Sequence, residues 1–265
     1  MLSPQISVLV GFLILSGVMT YLWFRQKRTG NAGVVDVAWA FSFGLFAIFY
    51  CLTVEGLWER KLFVSALVCI WSFRLGSYLY SRVAGKDEDT RYAGLREDWG
   101  ENFETWLFYF FIFQALVASA LSVCFLVPMF VEEPLFRGSD LLGALILIVS
   151  VAGEGLADLQ LKAFKKDPSH RGQVCKQGLW RYSRHPNYFF EWIHWWAYIP
   201  LACGTSYWWL TLIGPVSMFF FITKMTGIPA TEERSVVNRG QAYIDYQNET
   251  NAFFPWFPRI KEEDK

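Results

Sequence analysis

The chain has 265 residues, 54% of them hydrophobic and 19% aromatic, far more apolar than a soluble domain of that length, so a bilayer is its natural solvent. Its 24 basic and 24 acidic residues cancel, so net charge gives no reason to expect a nucleic-acid partner; what informs is where the charges fall. The five cysteines show no CxxC spacing and four lie in apolar runs, which argues against a disulfide framework and against a zinc site.

The first apolar run, Ile6 to Phe24, has no Lys or Arg before it, exceeds a signal h-region in length and ends at the basic stretch Arg25 to Arg28. It predicts an anchor helix that is retained. Runs long enough to cross about 30 Å of hydrocarbon lie near 3–24, 34–53, 62–81, 106–130, 140–161, 188–203 and 207–228. Together they predict an all-α, polytopic membrane helix bundle of about seven transmembrane helices. Trp195, Trp196, Tyr198, Tyr207, Trp208 and Trp209 crowd helix ends, as interfacial anchors do. No repeat or linker divides the chain, so residues 1–265 read as a single domain.

With the N-terminus outside, the cytosolic segments 25–33, 82–105, 162–187 and the tail from about 224 hold 20 of the 24 Lys and Arg. Only Arg60, Lys61 and Arg137 fall on the other side, and Arg74 sits inside the third helix. Short basic loops resist translocation, so the bias predicts a multi-pass protein with its N-terminus outside and its C-terminus cytosolic. The tail predicts a short amphipathic helix, Glu232 to Tyr246, and then the aromatic stretch Phe253 to Phe257 at the interface.

Ionisable residues at membrane depth are functional candidates, because each costs several kcal/mol unless paired or wet. Asp36 lies at the start of the second helix, near Asn31 and Trp39. Arg74, Tyr78 and Arg82 descend one face of the third helix at i, i+4, i+8. Glu154, Asp158, Lys162 and Lys165 continue the polar wall on the fifth. The bland alternative is a set of structural ion pairs, with Asp36 or Asp158 answering Arg74; a whole polar wall exceeds what structural pairing needs.

The segment 162–187 carries seven basic residues and then runs from Gly178 to Glu191 into the next helix. Pro186 suits that helix's first turn, so backbone donors near Asn187 and Tyr188, beside Arg181, Arg184 and His185, predict an anion site. Asn187 and Glu191 stand one turn apart, an amide and a carboxylate that could bind a carboxamide or an amine.

At these residues the sequence resembles the steroid 5-alpha-reductase family, especially its bacterial branch. The matching pieces are Asn31 to Trp39, Trp71 to Leu75, Glu88 to Tyr92, Ala157 to Gln160 and Arg181 to Glu191, in order along most of the chain. The resemblance implies NADPH bound from the cytosol and reduction of a carbon–carbon double bond conjugated to a ketone, in a lipid or steroid arriving from the bilayer. It implies that the cytosolic loops and the tail 229–265 form the cofactor site of a bacterial inner-membrane enzyme. By similarity Asn187, Glu191, Arg74, Tyr78, Asp158 and Tyr182 bind the cofactor; charge and position add Lys165, Arg91, Arg184 and His185 for its phosphates. No metal is implied. Where mammalian members use a Glu and a Tyr to hold the ketone, the nearest positions here are Asp36 and Trp71. A Trp cannot replace the phenol as proton donor, so Asp36 and Tyr92 are the expected catalytic pair.

A membrane methyltransferase of the isoprenylcysteine or phospholipid type is the rival reading. Arg184 to Tyr188 with a tail Glu232 resembles an S-adenosylmethionine site, in which Glu191 and Glu232 would hold the methionine amine. That reading leaves Asp36, Arg74 and Asp158 without a duty. A transporter would use the polar wall as an ion path but gives no reason for the run from Arg181 to Glu191. No GxGxxG or P-loop occurs.

Overall fold

The computed structural model describes residues 1–225 and 227–259, and the described residues are helical with no strand. The longer helices are α1 (Pro4–Thr29), α2 (Val34–Thr53), α3 (Trp58–Val83), α4 (Thr90–Trp99), α5 (Phe103–Leu126) and α6 (Gly138–Lys166). There follow α7 (Pro186–Trp196), α8 (Tyr198–Leu201), α9 (Ile213–Phe220), α10 (Ile228–Arg239) and α11 (Gln241–Glu249). Among the described residues six stretches are long and apolar enough to cross a membrane: α1, α2, α3, Arg91–Phe130, α6 and Trp208–Arg239. The protein is a polytopic helical membrane protein.

The expected crossing at 188–203 differs. Its helix stops at Trp196, and a four-residue helix, Tyr198–Leu201, follows. Pro200 has no N–H to donate to the Trp196 carbonyl four residues back, which ends the ladder there. The tail also departs from a single helix: α10 and α11 are separated by Gly240, whose φ of 54° lies in the left-handed region.

The chain forms two compact units. Unit 1 comprises Met1–Asp140 and Tyr198–Ile213, and unit 2 comprises Leu141–Ala197 and Gly214–Lys265. Within unit 1, α2 lies along α3, and α1 along α5. Small residues and hydroxyls allow the first approach, as they do where lipid removes the hydrophobic drive between helices. A Cβ at Gly76 would stand 2.7 Å from the Phe41 ring. Ser72 donates to the Ala40 carbonyl at 2.7 Å and accepts from Gly44 N at 3.1 Å, and Ser65 donates to the Ala47 carbonyl at 3.0 Å.

Unit 1 also solves the problem of two of the basic residues outside the predominant charge bias. Arg60, with no exposure, binds Asp140, also with none, through both guanidinium ends at 2.9 and 3.1 Å. Arg137 binds the same carboxylate through Nε and Nη2 at 3.1 and 2.9 Å, and donates to the Cys203 carbonyl at 2.6 Å. Lys61, nearly as buried, donates to the Val54 carbonyl at 2.9 Å.

In unit 2 the segment after α6 is pinned by side chains. Trp180 Nε1 donates to the Ala157 carbonyl at 2.9 Å, and Leu179 N to Gln160 Oε1 at 2.9 Å. The chain beyond α11 closes over the same segment: Arg184 N donates to the Asn251 carbonyl at 2.9 Å, Ser183 Oγ to the Phe253 carbonyl at 2.9 Å, and Trp256 N to the Tyr182 carbonyl at 2.9 Å.

Candidate functional site

Unit 1 gathers Asp36, Arg91 and Tyr92. Asp36 stands in the first turn of α2, where the helix dipole favours a carboxylate. Asp89 caps α4 by accepting from Arg91 N at 2.9 Å, and this start to the helix sends Arg91 and Tyr92 toward α2. The Tyr92 hydroxyl, on a residue with no exposure, donates to Asp36 Oδ1 at 2.9 Å. Arg91 pairs with Asp36 Oδ2, and its Nη2 reaches the Tyr92 oxygen at 3.2 Å. Asp36 therefore accepts from both neighbours, and the phenol, with one hydrogen, can donate elsewhere only by releasing Asp36.

The connection before α4 is held on the same end of α2. Glu88 accepts from Ala32 N at 3.0 Å and pairs with Arg96 at 3.2 Å, while Asn31 donates to the Lys86 carbonyl at 3.1 Å. The face of α3 is as the i, i+4, i+8 spacing requires: the guanidinium carbons of Arg74 and Arg82 lie 5.9 and 6.0 Å from the Tyr78 ring centre. Arg82 also pairs with Asp89 at 3.0 Å. Trp39 Nε1, one turn after Asp36, is buried with no hydrogen-bond partner among the described residues. Trp39 closes the motif that begins at Asn31, but it is not among the site residues expected from the sequence.

Unit 2 gathers the rest. His185 is the N-cap of α7 and Pro186 fills its first position, which leaves Asn187 and Glu191 on successive turns. Asn187 Nδ2 donates to Asp158 Oδ1 of α6 at 3.4 Å, whereas Asn187 Oδ1 is buried and has no hydrogen-bond partner among the described residues. Glu191 is buried and accepts from Trp195 Nε1 at 3.4 Å.

Arg184 and His185 turn elsewhere. Arg184 Nε donates to Glu232 Oε1 at 2.6 Å, and its Nη1 donates to the Gln247 carbonyl at 3.0 Å and to that of Thr250. His185 Nε2 lies 3.1 Å from the same Glu232 oxygen, and Gln247 Nε2 donates to Glu232 Oε2 at 2.8 Å. In this arrangement Arg184 ties the loop to the tail instead of presenting those donors to a phosphate. Burial pushes the His185 imidazole below its ordinary value, with the Glu232 carboxylate pulling the other way. The ring lies parallel to Tyr188, with centres 5.4 Å apart. Tyr182 is partly exposed, its ring edge-on to Phe257 at 5.9 Å. Lys165, the penultimate residue of α6, is exposed and borders a cavity. Among the described residues no cluster of three or more His, Cys, Asp or Glu is placed to hold a metal ion.

Among the described residues, six stretches long and apolar enough to cross a membrane and two polar clusters, one in each unit, define a multi-pass membrane protein with buried charge at particular places. Residues 22–250 match the model of the family described as "Protein of unknown function (DUF1295)", and the chain belongs to that family. It is 27% identical over 285 aligned residues to the uncharacterized protein C594.04c of Schizosaccharomyces pombe, a match that covers 93% of this chain and 79% of the yeast protein. No solved structure matches the chain significantly.

Proposed function

We propose that this protein is an NADPH-dependent membrane reductase of the steroid 5-alpha-reductase type, acting on the double bond of an α,β-unsaturated ketone lipid such as a 3-oxo-Δ4 steroid. The observation that carries the reading is Asn187 Oδ1, a buried acceptor without a hydrogen-bond partner among the described residues, one turn before the buried carboxylate of Glu191. Leaving such a group unsatisfied costs about 1–3 kcal/mol. A primary carboxamide, with two N–H donors, can relieve the unpartnered Asn187 oxygen and serve a carboxylate one turn further along the same helix, and the nicotinamide of NADPH carries one. The residues present thus fit the cofactor. Asn187 and Glu191 would hold the carboxamide, Asp158 would fix the Asn187 amide by taking its N–H, and Lys165 offers positive charge two turns further along α6.

NADPH supplies, when bound, a hydride to the carbon β to the ketone. The chain's own task is at the ketone oxygen, where negative charge develops. Arg91 donates to the Tyr92 oxygen and Asp36 accepts the phenolic proton, so the phenol is polarised and oriented before any substrate arrives. It can redirect that proton to a carbonyl oxygen while Asp36 stays paired with Arg91. The buried indole N–H of Trp39 is a second donor of the kind an enolate needs. On this reading the substrate arrives through the bilayer, and the cofactor comes from the cytosol of a bacterial cell.

The methyltransferase reading needs Glu232 for the methionine amine. Both Glu232 oxygens are engaged by Arg184, His185 and Gln247, which favours the reductase. Detergent-purified protein is expected to gain thermal stability from NADPH, by about 2.7 kcal/mol at one hundred times the dissociation constant, and much less from S-adenosylmethionine. The reverse ranking hands the protein to the methyltransferases. Glu191→Gln should abolish NADPH-dependent reduction with the helical circular-dichroism spectrum unchanged; undiminished turnover removes Glu191 from the site.

A further inference from the structure

Helix α2 carries Asp36 and Trp39 in its first two turns, and the turn that follows is crossed by polar side chains. In an α-helix the N–H of one residue meets the carbonyl four residues earlier, so Gly44 N and the Ala40 oxygen mark one rung of α2. The buried Ser72 hydroxyl of α3 engages both: it accepts from Gly44 N at 3.1 Å and donates to the Ala40 oxygen at 2.7 Å. Ser42 Oγ donates to the Trp39 carbonyl at 2.6 Å, and Cys69 Sγ to the Gly44 carbonyl at 3.7 Å. Glycine makes the room, since a Cβ at Gly44 would stand 3.0 Å from Ser72 Oγ.

Tight packing of α2 on α3 does not call for such a contact. Ser65 serves packing in the ordinary way: it donates to the Ala47 carbonyl at 3.0 Å, and a carbonyl has a second lone pair for its own rung. An N–H has one hydrogen. A hydroxyl that draws the Gly44 hydrogen stands in the ladder itself, an insertion of the kind that kinks helices, and serine bonds such as that of Ser42 bend them further. On one side of this rung the chain is held by residues 86–92. Glu88 accepts from Ala32 N at 3.0 Å, Asn31 donates to the Lys86 carbonyl at 3.1 Å, and Asp36 binds Arg91 and Tyr92. On the other side α2 is held by α3 through Ser65 and by α5, where the Tyr50 and Ser122 hydroxyls lie 2.7 Å apart.

We propose that Ser72 is a positioning residue for the Asp36 cluster: its hydroxyl, standing in the Ala40–Gly44 rung, sets the direction in which the start of α2 presents Asp36 to Arg91 and Tyr92, together with the Trp39 N–H. The lever is short but sufficient. A change of about 20° at the rung moves a group about 6 Å away, four residues along the axis, by about 2 Å. A misplacement of about 1 Å can cost a catalysed step about 100-fold. The indole nitrogen of Trp39, buried with no hydrogen-bond partner among the described residues, lies between Asp36 and the rung and turns with them. What the cluster does chemically rests on the reductase reading; that Ser72 sets its direction does not.

The test compares full-length protein in detergent with three variants. Ser72→Ala removes the hydroxyl, Gly44→Ala crowds it out of the rung, and Ser65→Ala removes a packing hydrogen bond from the same pair of helices. The first readout is amide hydrogen exchange followed by mass spectrometry. Without the inserted hydroxyl the Gly44 N–H returns to Ala40, α2 straightens and Asp36 is drawn off Arg91 and Tyr92. Exchange in residues 31–40 and 86–93 should then speed by about fivefold or more, with residues 45–53 unchanged. Ser65→Ala should not produce that pattern. Exchange that stays the same in both Ser72→Ala and Gly44→Ala, or that rises as much in 45–53 as in 31–40, overturns the proposal and leaves Ser72 a packing contact. The second readout is turnover with NADPH and an enone lipid. Both variants should lower kcat by about 10- to 100-fold with the affinity for NADPH unchanged; an unchanged kcat in an active protein overturns the proposal as well. Parent protein that binds no NADPH and reduces no enone removes the reductase reading, while the exchange pattern still decides the role of Ser72.

Discussion

Tyr92 is a fully buried phenol whose hydroxyl is bound to a carboxylate that a guanidinium already neutralises. Such a phenol is held in place on both sides, and on the proposed reading a carbonyl oxygen takes its single proton from Asp36, which keeps its pairing with Arg91. Tyr92→Phe removes the hydroxyl and leaves the Asp36–Arg91 pair in place, so the fold should survive. With NADPH and an enone lipid, turnover should fall by about 100-fold or more, while the affinity for NADPH changes little. A variant with full turnover would exclude the phenol from the chemistry. Asp36 and Tyr92 were named together from the sequence through the family resemblance, which puts Trp71 where a phenol is expected and so calls for another tyrosine. Their link through Arg91 was not legible, since an ion pair between residues 55 apart leaves no local pattern. Arg184 was legible as part of a cationic loop, whereas its contacts with Glu232 and the carbonyls of Gln247 and Thr250 come from far along the chain and leave no local pattern.

Helices α1, α2, α3 and α6 follow their apolar runs because long hydrophobic stretches bounded by charge have one outcome in lipid. The run at 188–203 differs in form: its apolar and aromatic residues are continuous, but Pro200 interrupts the ladder, so the chain there forms two shorter helices in succession. The start of α6 shows an energetic cost that hydropathy does not reveal. Asp140 receives Arg60 and Arg137 together, with all three side chains buried or nearly so. Removing one member of a buried ion pair typically destabilises by about 3–5 kcal/mol, whereas replacing the pair by apolar side chains of similar size costs far less. Asp140→Asn should therefore lower the thermal-inactivation temperature of the detergent-purified protein markedly. The double replacement Arg60→Met, Asp140→Leu should lower it less than the single one does. If the double replacement is the worse of the two, the network contributes more than charge compensation.

At the scale of the whole molecule, the distribution of Lys and Arg implies a direction across the membrane, with 20 of the 24 in the segments read as cytosolic. The three opposing residues are Arg60, Lys61 and Arg137. Arg60 and Arg137 are tied to Asp140, and Lys61 is turned onto a backbone carbonyl. The cysteines offer a direct check. Cys203 is exposed, whereas Cys51, Cys124 and Cys175 are buried and Cys69 is intermediate. The Cys203 carbonyl accepts from Arg137 at 2.6 Å, beside the connection between α5 and α6, which an outside N-terminus puts on the outer side. A membrane-impermeant maleimide should therefore label right-side-out spheroplasts at Cys203, and Cys203→Ser should abolish that signal. Inside-out vesicles should remain unlabelled until detergent is added. Labelling from the cytosolic side alone would reverse the orientation and put the basic loops, with the cofactor they are proposed to hold, on the wrong side for NADPH.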